Sequence, residues 1–208
     1  MDRQRYCFYE QGGSVMPNWC NNTITIRGSA DKLKAIWDTA QKQDGLLAAL
    51  VPQPEDMFHG NLGEAERAEC AEKGIPNWYD WNVSNWGTKW DVGLEGLEYT
   101  VLEDGSAEIS GWFDSAWSPP IDALSTFSDA NEDCSVECYY LETGMCFVGF
   151  WDSDGADDHY EYDDCTSANV RDFIPDYLVS EFDLENMLAE YEEDEDEVDL
   201  TDLSPNTV

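Results

Sequence analysis

WDVGLEGLEYTVLEDGSAEISGWFD, Trp90 to Asp114, reads as two strands, Trp90–Leu102 and Ser106–Asp114, folded back on each other at Glu103-Asp104-Gly105. Asp-Gly is a strong hairpin signal, because both residues tolerate the positive φ that a tight turn between right-twisted strands demands. A second hairpin, Cys134–Leu141 with Met145–Asp152, turns at Glu142-Thr143-Gly144. Between the two, Ser118-Pro119-Pro120 opens a helix over Ile121–Ser128, where proline suits the first turn.

Upstream, NNTITIRG (Asn21–Gly28) alternates β-branched and polar residues, the pattern of a half-buried strand. Ser29 or Asp31 then caps a helix through about Asp44, with Leu33, Ile36, Trp37 and Ala40 on one face. LLAALVPQPED follows, and its two closely spaced prolines force an extended segment. Residues 61–74 read as a short charged helix inside an insertion near 51–76. The resulting order, β-α-β-β-α-β-β, predicts an α+β fold in which helices layer on one face of an antiparallel, ferredoxin-like sheet over residues 16–152.

Within that frame lies NWYDWNVSNWGTKWD, Asn77 to Asp91, which carries Trp78, Trp81, Trp86 and Trp90. So dense a cluster either fills a core or lines a recognition surface, since Trp buries a large area while keeping one N–H to satisfy. The core reading is preferred, because large aromatic clusters are usually buried. Asp80, Lys89 and Asp114, with Trp117 nearby, are the polar candidates for a cleft beside the tryptophans. Their ordinary use is to cap helices, pair charges and satisfy indole N–H groups.

The formal charge is −36 over 208 residues, and after Lys89 the sole basic side chain is Arg171. Such a field repels phosphates and anionic membranes and attracts basic surfaces. Direct nucleic acid binding is disfavoured, no membrane partner is expected, and a basic protein fits the sign. The 42% hydrophobic and 13% aromatic content nevertheless builds a real core, so the chain is no disordered acidic polymer.

The acids are densest toward the C-terminus. Asp152, Asp154, Asp157, Asp158, Asp163 and Asp164 fall in SDGADDHYEYDDC and its preceding residue, which is read as a loop too acidic to pack. Thr166–Tyr191 is read as one or two helices with Phe173, Ile174, Tyr177, Leu178, Phe182, Leu184, Met187, Leu188 and Tyr191 as the apolar set. Glu192 and Glu193 begin a tail, 192–208, expected to be disordered because it has almost nothing to bury. These carboxylates are the candidate partner-binding set.

No cofactor or metal is expected. Asp152-Ser153-Asp154-Gly155 resembles a calcium loop, but its glycine is fourth rather than sixth and the twelfth position is Asp163 rather than Glu. Cys134 and Cys138 on one strand would stand ~13 Å apart, too far to share a zinc ion. Seven cysteines without secretory features suit a reducing cytosol, most of them as buried thiols. With His59 and His159 as the two histidines, and no nucleophile elbow or phosphate-binding glycine loop, no catalytic set is legible.

Residues 1–15 are expected to be a flexible arm or to precede the true start. Glu10-Gln11-Gly12-Gly13 is encodable as GAG-CAA-GGA-GGN, a purine-rich ribosome-binding sequence suitably placed before Met16. That points to a bacterial, phage or plasmid gene.

The strings MPNWCNNTITIRG (16–28), LVPQPED (50–56), NWYDWNVSNWGTKWD (77–91), GWFDSAWSPPIDAL (111–124) and YYLETGMCFVGFW (139–151) resemble the signature blocks of the YubB-like, or Api-ninety-two-like, family of bacteriophage and plasmid proteins. The resemblance implies a ferredoxin-like fold and a mobile-element origin, and no reaction or catalytic residue. It ends at about Asp152. The leading functional expectation is therefore an accessory protein that binds a basic host protein, as a nucleic acid mimic that blocks a defence or DNA-processing factor. A small-ligand or nucleotide-processing domain using the Trp-rich surface is one alternative. An acidic structural protein of a salt-rich host or its phage is another.

Overall fold

The computed structural model describes residues 18–201, with side chains described as far as Glu193. The expectations for residues 1–15 and for the last residues of the tail lie outside the described residues. Strand β1, Trp19–Ser29, is followed by helix α1, Ala30–Gln43, which buries Leu33 and Ala40 and ends at Asp44 in the left-handed region. Three helices then fill the stretch before the next strand: α2, Leu47–Leu50, α3, Glu64–Lys73, and α4, Trp78–Trp86. The first hairpin is β2, Leu97–Val101, with β3, Ser106–Ala116. Helix α5, Ile121–Ala130, leads to β4, Ser135–Glu142, β5, Phe147–Asp152, and β6, Asp157–Glu161.

The six strands form one antiparallel sheet in the order β2-β3-β1-β4-β5-β6. Its first four strands, with α1 and α5, are the split β-α-β arrangement of a ferredoxin-like fold, in which β3 lies between the parallel pair β1 and β2. Alternation along the strands sorts the residues by face. Ile24, Ile26, Ile109, Phe113, Val136 and Cys138 point to one side and pack with Leu33, Leu46, Leu47, Leu124, Phe127 and Trp86 in the main core. Gly111 belongs to this face with φ 135°, and a Cβ there would strike the Gly96 carbonyl, so the close crossing of β3 by the Gly96 loop requires glycine.

Four features depart from the sequence reading. Strand β2 starts at Leu97 rather than Trp90, because Asp91 turns inward and its carboxylate accepts the amides of Leu47, Ala48 and Val92, which bends residues 90–96 away from the sheet. Residues 157–161, expected as loop, are the edge strand β6, whose acids suit an unpaired edge while Tyr160 packs inward. Helices do not lie on one face alone. Helices α6, Val170–Phe173, α7, Asp176–Glu181, and α8, from Leu184, form a second core on the opposite face with Leu141, Val148 and Tyr162. Finally, α8 runs on to Thr201 in place of the structureless tail expected from Glu192, in keeping with the helix propensity of its glutamates.

A tryptophan-rimmed groove as candidate functional site

The tryptophan-rich string is divided at Gly87, which ends α4 with φ 80°. Before it, Trp86 is buried, Trp81 is half-buried against the main core, and the two rings meet edge to face with centroids 5.6 Å apart. Trp78 is half-buried and donates its indole N–H to the Gly60 carbonyl. Asp80 is exposed and belongs to the helix start: Asn77 accepts the Asp80 amide and in turn donates to its carboxylate. That hydrogen bond, with the Arg67 ion pair, holds the Asp80 carboxyl below its ordinary pKa. The core reading therefore holds for Trp81 and Trp86.

Beyond Gly87, Trp90, Trp112 and Trp117 face outward, whereas Trp151 is buried in the main core. Trp90 and Trp117 are each 37% exposed, and the Lys89 ammonium sits 4.2 Å from the Trp90 centroid and 4.9 Å from that of Trp117. Trp19, 44% exposed, lies with its ring 6.1 Å from Trp90. Trp112 is 60% exposed. Together Trp19, Trp90 and Trp112 rim a groove of about 440 Å3, with Asp114, Asp91 and Glu95 in its wall. Asp91 is taken up by the three amides it accepts, and burial pushes its pKa up. Asp114 is exposed and accepts a hydrogen bond from Asn21.

Beneath this rim runs a set of buried polar ties. Asn22 donates to the Cys20 carbonyl and to the Ser115 hydroxyl, and Ser115 donates to the Ser118 carbonyl. Thr88 donates to the Ala116 carbonyl and Ser118 to that of Gly87. These bonds fasten the ends of β1 and β3 to the chain after α4. They also hold Trp117 at φ 70°, a conformation that costs a bulky residue roughly 1–2 kcal/mol. A strained, exposed tryptophan on a satisfied polar scaffold is a preorganised surface.

Asp80, Lys89 and Asp114 do not share one cleft. Asp114 lines the tryptophan groove, whereas Lys89 lines a second hollow of about 390 Å3 with His59, Arg67, Trp78 and Tyr79. Asp80 lines neither. Trp19 and Trp112 were missed by sequence reasoning, although alternation gives a signal: Trp112 adjoins the inward Phe113, and Trp19 adjoins the buried Cys20, so each must face the other way.

The acidic candidates are spread along β6 and its ends, with Glu192 and Glu193 on α8. Asp152 is structural, its carboxylate accepting the amides of Asp154, Gly155 and Ala156, which accounts for the calcium-like spacing as a turn cap. Asp158 accepts the Tyr177 hydroxyl, and Glu192 accepts the amide and hydroxyl of Ser167. Asp154, Asp157, Asp163, Asp164 and Glu193 are exposed. Among the described residues, no group of His, Cys, Asp or Glu is placed to hold a metal ion, and no helix is long and apolar enough to cross a membrane.

Residues 86–172 match the family described as the ferredoxin-like domain in Api92-like protein. The crystal structure of the protein api92 from Yersinia pseudotuberculosis aligns with 71% of this chain and 98% of its own at 12% identity and a TM-score of 0.39. No curated protein matches the chain. The matched residues span β2, β3, α5, β4, β5 and β6, five of the six strands of the sheet. Residues 86–172 are thus similar to the ferredoxin-like domain of the Api92-like family, in agreement with the sheet and helix order described above.

Proposed function

We propose that this protein is a non-enzymatic accessory protein of a phage or plasmid that binds a basic, nucleic-acid-binding host protein in the cytoplasm and competes with its nucleic acid. The observation that carries the reading is the disposition of charge. Arg27, Lys32, Lys34, Arg67, Lys73 and Arg171 are each taken up by the protein's own carboxylates. Exposed acids such as Asp154, Asp157, Asp164 and Glu193 are left to face solvent in a chain of net charge −36. A basic groove built for duplex DNA, with one charge per ~1.7 Å of axis, accepts such a surface by the same electrostatics. The test is capture from the heparin-binding fraction of a bacterial lysate, followed by competition with duplex DNA. Retention of a basic protein that duplex DNA releases supports the reading. Retention of none leaves charge as a device for solubility or for a salt-rich host.

A second reading, a small-ligand domain, is favoured by the hollow in which His59, Arg67 and Lys89 gather beside Tyr79. Cations collected against an aromatic ring on so anionic a chain suit a phosphate-bearing ring compound. A rise in melting temperature with nucleoside monophosphates, absent in Lys89→Ala, supports this second reading.

A further inference from the structure

We infer that the groove rimmed by Trp19, Trp90 and Trp112 is the anchoring pocket for an arginine side chain of the basic partner. This inference rests on the reading of a basic partner given above. Exposed tryptophans are costly in water, and Trp112 at 60% exposure lies on the strand face that α6–α8 leave uncovered beside β3 and β1. The groove holds about 440 Å3, and its wall carries Asp114 and Glu95.

The chemistry of that lining selects the occupant. Indole faces attract cations, Trp most strongly of the aromatic side chains, and a planar guanidinium stacks where an ammonium only touches. Asp114, held in place by Asn21, offers a carboxylate to the guanidinium fork. The protein already uses one of these rings in this way: Lys89 lies over Trp90, and over Trp117 outside the groove, and no described residue forms an ion pair with it. An anion or nucleobase phosphate entering the groove would instead meet Asp114 and Glu95 within a field of −36. Buried aromatic anchors of this kind dominate the binding energy of protein interfaces, with arginine among their commonest partners.

Two synthetic peptides of equal length and charge, one with arginine and one with lysine as its basic residue, separate the possibilities when titrated into the full chain by calorimetry. The arginine peptide is expected to bind about five- to tenfold more tightly, the scale of one desolvated cation–π contact. Trp112→Ala and Asp114→Asn are each expected to remove that preference, whereas Glu72→Gln, exposed on α3, keeps it. Asp114→Asn tests the pocket even where Trp112→Ala lowers the yield of folded protein. Equal binding of both peptides, undisturbed by either groove variant, overturns the anchoring pocket and leaves the basic partner standing. Binding of neither peptide overturns both.

Discussion

The indole N–H of Trp86 donates to the carbonyl of Val51 across 3.0 Å, and this bond fastens α4 to the proline-bearing segment after α2. Val51 packs at the edge of the main core that Trp86 enters, so one side chain both fills the core and satisfies a backbone acceptor. Trp86→Ala is expected to lower stability by about 3–5 kcal/mol, through lost burial and the cavity left behind. Trp112→Ala, on the exposed side, should cost less than about 1 kcal/mol. Denaturant midpoints at constant m-value separate the two. Similar losses would mean that the division of the tryptophans at Gly87 has no energetic basis.

Gly111 makes a sharper prediction for the sheet. At φ 135° and with the Gly96 carbonyl where a Cβ would stand, Gly111→Ala should destabilise by at least about 2 kcal/mol. Thermal unfolding of the variant checks this, and an unchanged midpoint would show that the crossing relaxes.

Trp117 should behave in the opposite way. Its left-handed backbone costs free energy that glycine would recover, and its ring contributes an exposed contact to Lys89 rather than core packing. Trp117→Gly is expected to leave stability within about 1 kcal/mol of the parent, as denaturant midpoints would show. A loss above about 2 kcal/mol would assign Trp117 to the scaffold instead.

Asp91 gives the pH dependence its sign. Burial raises its folded pKa above the unfolded value of about 3.9, so the native state holds the proton more tightly. Its contribution is fully present below the unfolded pKa and is lost as pH rises through the folded one. Stability measured against Asp91→Asn should therefore fall, parent relative to variant, as pH rises from about 4 toward neutrality. A difference that grows with pH would mean that the three amides it accepts outweigh its desolvation.

Much of the fold was legible because its signals are local. Asp104-Gly105 turns the first hairpin, Ile24 and Ile26 alternate with Thr23 and Thr25, and Pro119-Pro120 precedes α5. Strand β6 was obscured because an edge strand carries acids outward, and Asp157, His159 and Glu161 hid the inward Tyr160. The second core was expected to use Phe173 and Tyr177, which are exposed, while Val170 and Val179 are buried. Short helices have too few turns for periodicity to fix a face. The groove itself depends on strand register, which pairs Trp112 with Thr23 and Asp114 with Asn21 across distant sequence, and no local pattern encodes that pairing.

The proposed binding of a basic partner by exposed carboxylates has a direct test in its salt dependence. Affinity for the captured basic protein should fall steeply between 50 and 300 mM salt, since exposed charges are screened beyond a Debye length of ~8 Å at physiological ionic strength. Replacing Asp154, Asp157 and Asp164 by Asn and Glu193 by Gln should flatten the slope of log Kd against log salt and weaken binding at low salt, with the melting temperature unchanged. A slope near zero, or one the quadruple variant leaves intact, would show that these carboxylates do not bind the partner.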